Sequence, residues 1–263
     1  MSIRVAVINT NLINYERANK VSSKTVLITG GATGIGRAIA QRFADNGYSV
    51  ALTYHTSQLH AQKLVEQLRN KGVDACCYQL DVSDYLNTVK VTTEVINRFK
   101  HIDCLICNSG IACVNMLSST TMSQYDSVMD VNMRGVYNCC KAVTPYMVDR
   151  GSGSIVNISS VLGLDGCSCE SVYSASKGAV IAFSLSLAKE LGASNIRVNC
   201  VCPGVIDTAM NGNLTVQERD DLSKCTLLGR FGTVNEVADT VLFTAEASYV
   251  TGTTISVDGG LSI

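Results

Sequence analysis

A short apolar run, Thr25-Val-Leu-Ile28, passes without a break into Thr29-Gly-Gly-Ala-Thr-Gly-Ile-Gly36. An amphipathic segment carrying Ala38, Ile39, Phe43 and Ala44 follows and stops at Asn46-Gly47. A buried strand, a glycine-rich turn and a helix in that order leave little choice of architecture. The turn lets the backbone approach a phosphate, and the helix start offers free N–H groups and the positive end of its dipole. A glycine-rich turn alone says little; with the correct element on either side it points to a bound nucleotide.

The alternation continues along the chain. Strands are expected over 49–54, 75–80 and 103–108, with a helix over 57–71 and another that follows Asp81-Val82 and ends at about 100 between them. A long helix is expected over 123–148, a strand over 153–160, and a further helix from about 171 to 191. Strands over 196–202 and 253–257 complete a set of seven, and Thr233-Val-Asn-Glu236 is a capping box that opens the last helix. Short apolar strands alternating with helices predict an α/β fold. It is a single Rossmann-type, doubly wound domain whose mainly parallel seven-stranded sheet is flanked by helices. Ligands bind such sheets beyond the strand C-termini, where Asp81, Asn108-Ser109-Gly110 and Ser159-Ser160 fall. The domain is expected over residues 24–263, with the polar stretch of about 207–228 as a lid and residues 1–23 as an N-terminal arm or an extra edge strand.

Composition narrows the function classes. The chain carries a net charge of −1 with only 16% charged residues, which gives no basic surface for nucleic acid or anionic lipid. No apolar stretch approaches the length of a membrane span, and no signal-peptide core is present, so a cytoplasmic protein is expected. Twelve cysteines raise the question of metal. Most of them lie inside apolar runs, where a free thiol behaves as a small hydrophobe. Cys104 and Cys107 have zinc-knuckle spacing, but a strand turns their side chains to opposite faces. Reduced thiols and no metal are expected.

The chemistry centres on Ser171-Val-Tyr-Ser-Ala-Ser-Lys177. Tyr173 and Lys177 stand one helical turn apart on one face, and an ammonium close to a phenol lowers the tyrosine pKa toward neutrality, where it exchanges protons usefully. Taken alone, the pair also fits a Tyr and a Lys at the solvated start of a helix. Asn132 sits in an otherwise apolar helical stretch and needs its amide satisfied, by a packing hydrogen bond or a functional one. About 20 residues past the glycines, an NAD site places an acid on the ribose; this chain has Thr53, Tyr54, His55, Thr56 and Ser57 there. With no carboxylate to repel a 2′-phosphate and several donors to meet one, NADP is favoured over NAD, although no arginine clamp is present. Asp81 has a second reading as helix-capping chemistry, since Asp-x-Ser-Asp is ordinary before a helix.

Together these motifs resemble the short-chain dehydrogenase/reductase family. They are Thr29-Gly30-x-x-x-Gly34-Ile35-Gly36, Asp81-Val82, Asn108-Ser109-Gly110, Asn132, Ser160, Tyr173-x-x-x-Lys177 and Pro203-Gly204-x-x-x-Thr208. One departure is Cys107-Asn-Ser-Gly110, where the family often has Asn-Asn-Ala-Gly. The resemblance implies a catalytic tetrad. Tyr173 protonates the carbonyl oxygen, Lys177 lowers its pKa and binds the nicotinamide ribose, Ser160 hydrogen-bonds the substrate oxygen, and Asn132 holds a water connecting Lys177 to solvent. It also implies a nicotinamide dinucleotide cradled by Gly30, Thr33, Gly34, Ile35 and Gly36. Asp81 and Val82 meet its adenine, Tyr54, His55 and Thr56 its 2′-phosphate, and Asn108, Ser109 and Gly110 its path across the sheet. Ile206 and Thr208 hold its carboxamide, and Pro203 and Gly204 also belong to the cofactor site. Residues 228–237 and 249–260 look most like 3-oxoacyl-acyl-carrier-protein reductases. That likeness implies an NADPH-dependent homotetramer acting on a 3-oxoacyl thioester, with an acyl carrier protein as one means of presenting it. The alternatives are a reductase of a steroid, sugar, small ketone or protein-attached ketone, and, from another class, a non-catalytic nucleotide sensor.

Overall fold

The computed structural model describes residues 23–212 and 214–262. The expectation for residues 1–23 falls almost wholly outside them.

The first half of the chain forms β1 (Thr25–Ile28), α1 (Gly34–Asp45), β2 (Ser49–Tyr54), α2 (Gln58–Asn70), β3 (Ala75–Gln79), α3 (Tyr85–Phe99) and β4 (Cys104–Cys107). The second half adds α4 (Met122–Met129), α5 (Gly135–Arg150), β5 (Gly153–Ile158), the one-turn α6 (Leu162–Asp165) and α7 (Ser171–Leu191). It ends with β6 (Ile196–Pro203), α8 (Val216–Lys224), α9 (Val234–Glu246) and β7 (Thr254–Val257). All seven strands are parallel, in the order β3-β2-β1-β4-β5-β6-β7.

Both faces of this sheet are buried, which is why its strands read as continuous apolar runs. Val26 and Ile28 of β1 and Val50 and Leu52 of β2 point into one core, filled by Ile39 and Phe43 of α1, Leu64 and Leu68 of α2, and Val237 and Val241 of α9. Leu27 and Ala51 point the other way, into a core shared with Val91 and Val95 of α3, Val143 and Met147 of α5, and Val180 and Ile181 of α7. Cys104 and Cys107 fall in opposite cores, as the period of a strand demands. Strand order reverses between β1 and β4, and the crevice at their C-terminal ends is where a ligand binds such a sheet.

The helix expected over 123–148 is not one continuous α-helix. Between α4 and α5 the residues Asp130–Arg134 adopt a π-helical turn that contains Asn132. A π-bulge inserts one residue into the helical ladder, and such insertions gather at functional sites. Here the Asn132 amide leaves the helix to bond the loop after β4. The 207–228 stretch contains α8, opened by a Thr215/Glu218 capping box.

Candidate active site

The glycine turn is held from behind by the end of β4. Asn108 donates from Nδ2 to the carbonyl oxygens of Thr29 (3.0 Å) and Gly30 (3.1 Å), while the Asn108 and Ser109 N–H groups donate to Thr29 Oγ1 at 2.9 and 3.1 Å. This packing leaves no room for side chains. A Cβ on Gly36 would sit 2.2 Å from the Gly30 carbonyl oxygen and 2.5 Å from Asn108 Nδ2. Gly30 itself has φ +62°, a left-handed conformation that glycine adopts without cost. Asp84, Thr121, Thr215 and Thr233 cap α3, α4, α8 and α9 with side-chain hydrogen bonds, whereas Thr33 gives α1 none. The α1 N-terminus is therefore open to an anion.

Beyond β5, the second turn of α7 is docked against the strand end. Ser159 Oγ donates to the Lys177 carbonyl oxygen at 2.8 Å, and Lys177 Nζ donates to the Ile158 carbonyl oxygen at 3.0 Å. The Ser160 hydroxyl hydrogen-bonds the Tyr173 phenol and also accepts the Leu162 N–H at 3.2 Å. Asn132 is fully buried, with Nδ2 donating to the Ile111 carbonyl oxygen (2.9 Å) and to Ser176 Oγ (3.0 Å), and Oδ1 accepting the Ile111 N–H at 2.8 Å. Ser176 in turn donates to the Tyr173 carbonyl oxygen at 2.7 Å. Gly110 completes the packing, because a Cβ there would lie 3.2 Å from Lys177 Nζ and 3.3 Å from Asn132 Oδ1.

Electrostatics at the pair differ from the expectation. Burial pushes the Tyr173 phenol up to about 12, and the Ser160 hydrogen bond lowers it only in part. Burial also lowers the Lys177 ammonium to about 8. Lys177 Nζ lies 5.7 Å from the centre of the Tyr173 ring, and one of its protons is committed to Ile158. Desolvation disfavours the charged form of both groups, and at this separation it outweighs their mutual attraction. Tyr173 therefore stays protonated at neutral pH. Glu170, whose own carboxyl burial raises, adds to the effect on Tyr173.

One cleft of about 600 Å³ joins these parts. Its walls include Gly30, Thr33, Gly34, Ile35 and Gly36 of the turn, then Tyr54, His55 and Thr56, then Asp81 and Val82. Asn108, Ser109, Gly110, Ser160, Tyr173 and Lys177 follow, with Pro203, Gly204, Ile206 and Thr208 closing it. Thr208 faces the turn across the opening, with Cγ2 3.9 Å from where a Cβ on Gly34 would be. Asn132 alone of the expected residues does not line the cleft; it stands behind the wall. The Asp81 carboxylate uses Oδ1 to accept from the Ser83 N–H (2.9 Å) and hydroxyl (2.6 Å), and the Ser83 hydroxyl holds it below the usual carboxylate range. Ile111, Ser127, Asp130 and Asn211 also line the cleft and were not anticipated. Ser127 stands in α4 and Asp130 opens the π-helical turn, while Asn211 is placed by an Nδ2 hydrogen bond to the Ile206 carbonyl oxygen at 2.8 Å. The buried Ser176 was legible in principle, since a serine inside an apolar helix needs a partner.

The volume, the open helix N-terminus and the tight glycine turn all fit a nicotinamide dinucleotide. No group of three or more metal-ligating side chains occurs among the described residues, and none of their helices is long and apolar enough to cross a membrane.

Comparison with known proteins agrees with the geometry. The family model for short chain dehydrogenase matches residues 24–219. The 3-oxoacyl-acyl-carrier-protein reductase of Staphylococcus aureus is 39% identical over 241 residues, covering 91% of this chain and 98% of that protein. The Thermotoga maritima reductase of the same name is 39% identical over 246 residues, covering 93% and 100%. Among solved structures, a blue fluorescent protein from a metagenomic library, crystallised with NADPH, superposes with a TM-score of 0.87 at 34% identity, covering 93% of this chain and 100% of that one. The chain belongs to the short-chain dehydrogenase family and is an NAD(P)-dependent oxidoreductase.

Proposed function

We propose that the protein is an NADPH-dependent reductase that converts a ketone to a secondary alcohol, with a 3-oxoacyl thioester as its substrate. The observation that carries this reading is the presence of Ser160, Tyr173 and Lys177 in the same cleft as the glycine turn. A bound nicotinamide supplies the hydride. Tyr173, kept protonated by burial, gives its proton to the carbonyl oxygen as negative charge develops there. Ser160 donates a hydrogen bond to the same oxygen and stabilises that charge. Lys177, largely an ammonium at neutral pH, contributes positive charge beside the phenol and a donor for the nicotinamide ribose. Asn132 is a positioning residue: it fixes the loop at Ile111 and, through Ser176, the backbone of Tyr173. Its Oδ1 and Lys177 Nζ both border the space beside Gly110, where a water would link them.

NADPH over NADH is supported by the wall formed by Tyr54, His55 and Thr56, which has hydroxyl and imidazole groups and no carboxylate, and by the NADPH-bound structural neighbour. The thioester is supported by the reductases of Staphylococcus aureus and Thermotoga maritima. The same names support an acyl-carrier-protein partner; from the family resemblance we further propose a cytoplasmic place and a homotetrameric assembly, with 207–228 as the lid over the substrate.

The test is loss of nicotinamide absorbance with purified protein, an acetoacetyl thioester and either NADPH or NADH. Rapid oxidation of NADPH alone is the expected result. Activity confined to other ketones would keep the chemistry and replace the substrate, while preference for NADH would overturn the reading of Tyr54 to Thr56.

A further inference from the structure

Two exposed cysteines, Cys167 and Cys169, flank Ser168 in the segment that joins Ser160 to Tyr173. That segment is folded back on itself. The Glu170 N–H donates to the Cys167 carbonyl oxygen at 3.2 Å, which closes a four-residue turn over 167–170. Cys169 occupies the third position with φ +64°, in the left-handed region that some turn types use there. A turn holds its first and third Cα atoms closer than the roughly 6.6 Å of an extended chain, inside the roughly 4.4–6.8 Å that a disulfide spans.

The turn is also bonded to two segments that carry cleft residues, the loop after β4 and the start of α7. The Cys169 carbonyl oxygen accepts the Asn115 N–H at 2.7 Å, tying it to the loop that begins at Ile111, which is itself gripped by Asn132. On the other side Glu170 is the N-cap of α7, and its carbonyl oxygen accepts the Ser174 N–H at 2.8 Å, next to Tyr173.

We propose that Cys167 and Cys169 form a redox-active dithiol whose oxidation slows turnover. A low-molecular-weight disulfide is the oxidant. One protein thiolate attacks it, a protein–sulfur bond forms, the S–S bond of the oxidant breaks, and one thiolate leaves. The second protein thiolate then attacks the bound protein sulfur, the 167–169 disulfide forms, and the second thiolate leaves. The two protons of the protein thiols end on the two released thiolates, and two electrons pass from protein to oxidant. The new bond fixes the Cβ atoms at about 3.8 Å. It thereby redirects the Cys169 carbonyl and the Glu170 cap, and with them the settings of Ile111 and Tyr173.

The test treats the full chain with oxidised glutathione and reads two quantities. Mass spectrometry of the unreduced digest is expected to show the peptide containing both cysteines lighter by two hydrogens. Ketone reduction is expected to fall at least about five-fold and to recover with dithiothreitol. The turnover arm rests on the function proposed above, whereas the peptide mass reads the dithiol whatever the substrate. A Cys167→Ser/Cys169→Gly variant, whose glycine suits the left-handed backbone, is expected to be insensitive, and Cys225→Ser to behave as the parent. Phenylarsine oxide gives a second measurement on the unaltered protein, condensing with both thiols to form two As–S bonds and one water. Inhibition released by a dithiol is expected. A peptide that stays reduced, a disulfide without change in rate, or equal inhibition of the double variant would overturn the proposal.

Discussion

Asn132 and Ile111 hold each other by a reciprocal pair of hydrogen bonds, amide to carbonyl at 2.9 Å and N–H to Oδ1 at 2.8 Å. The pair joins the π-helical turn to the loop after β4, and Ser176 extends it to the start of α7. Asn132→Ala removes the partners of the half-buried Ile111 N–H and carbonyl oxygen and the donor to Ser176 Oγ, which keeps its own bond to Tyr173, at a cost of up to about 1–3 kcal/mol for each group left unsatisfied. We expect a lower melting temperature together with a lower kcat. Asn132→Asp keeps the acceptor but loses the donors and is expected to fall between.

Tyr173→Phe removes the proposed proton donor and leaves the walls of the cleft in place. Reduction is expected to slow by about 10²–10⁴-fold. The dissociation constant for the dinucleotide, read by fluorescence, is expected to change little. Turnover that survives the substitution would remove Tyr173 from the acid role.

In the proposed mechanism the pH dependence of reduction follows Lys177, whose ammonium burial lowers to about 8. Its positive charge is present below that value and lost above it. The kcat/KM for the dinucleotide, which reports the free enzyme, is expected to fall with a one-proton limb near pH 8. Lys177→Arg, which stays charged throughout, should remove the limb even where it lowers the rate. A flat profile in the parent from pH 7 to 10 is the contrary result.

Gly36→Ala tests the seam between the turn and β4. Its Cβ would meet the Gly30 carbonyl oxygen at 2.2 Å, and backbone on both sides cannot yield cheaply. Overpacking of this kind costs about 1–3 kcal/mol, and we expect a lower melting temperature with dinucleotide affinity weakened by about ten-fold or more. Gly47→Ala is the control, since no atom lies within 4 Å of its added carbon and only its φ of +81° is strained.

Alkaline stability follows from the thiols and phenols of the core. Burial raises Cys76, Cys77 and Cys104 as well as Tyr48, Tyr78 and Tyr173; hydrogen bonds with neighbouring thiols add to burial in raising Cys107 and Cys200. These groups keep their protons in the folded chain at a pH where the unfolded chain has released them. The folded state then binds more protons than the unfolded one, so stability falls as pH rises above the ordinary cysteine value of about 8.5. Lys177 and Cys202 are shifted down and act in the opposite sense, but they are outnumbered. A melting temperature that holds steady or rises from pH 8 to 10 would contradict this account.

Much of the protein is written locally. The seven strands, the direction of the sheet and the glycine turn follow from apolar periodicity and from turn chemistry, because each depends on residues close together in the chain. Of the expected site residues, all but Asn132 stand on one cleft because strand ends of a parallel sheet converge on one edge, so a motif after each strand is enough to place them. The π-helical turn was not legible. It sits where the Asn132 amide bonds Ile111, 21 residues away, a partner that the local sequence does not reveal. The protonation of Tyr173 was not legible either. Spacing puts Tyr173 and Lys177 on one helical face, but how far each is removed from water is decided by β5, by the segment after β4 and by Ser160. Sequence by itself therefore determined which elements form and which residues meet at the sheet edge. Only the tertiary structure decided the charge each of them carries, because desolvation is a property of everything packed around a group and of no single stretch of chain.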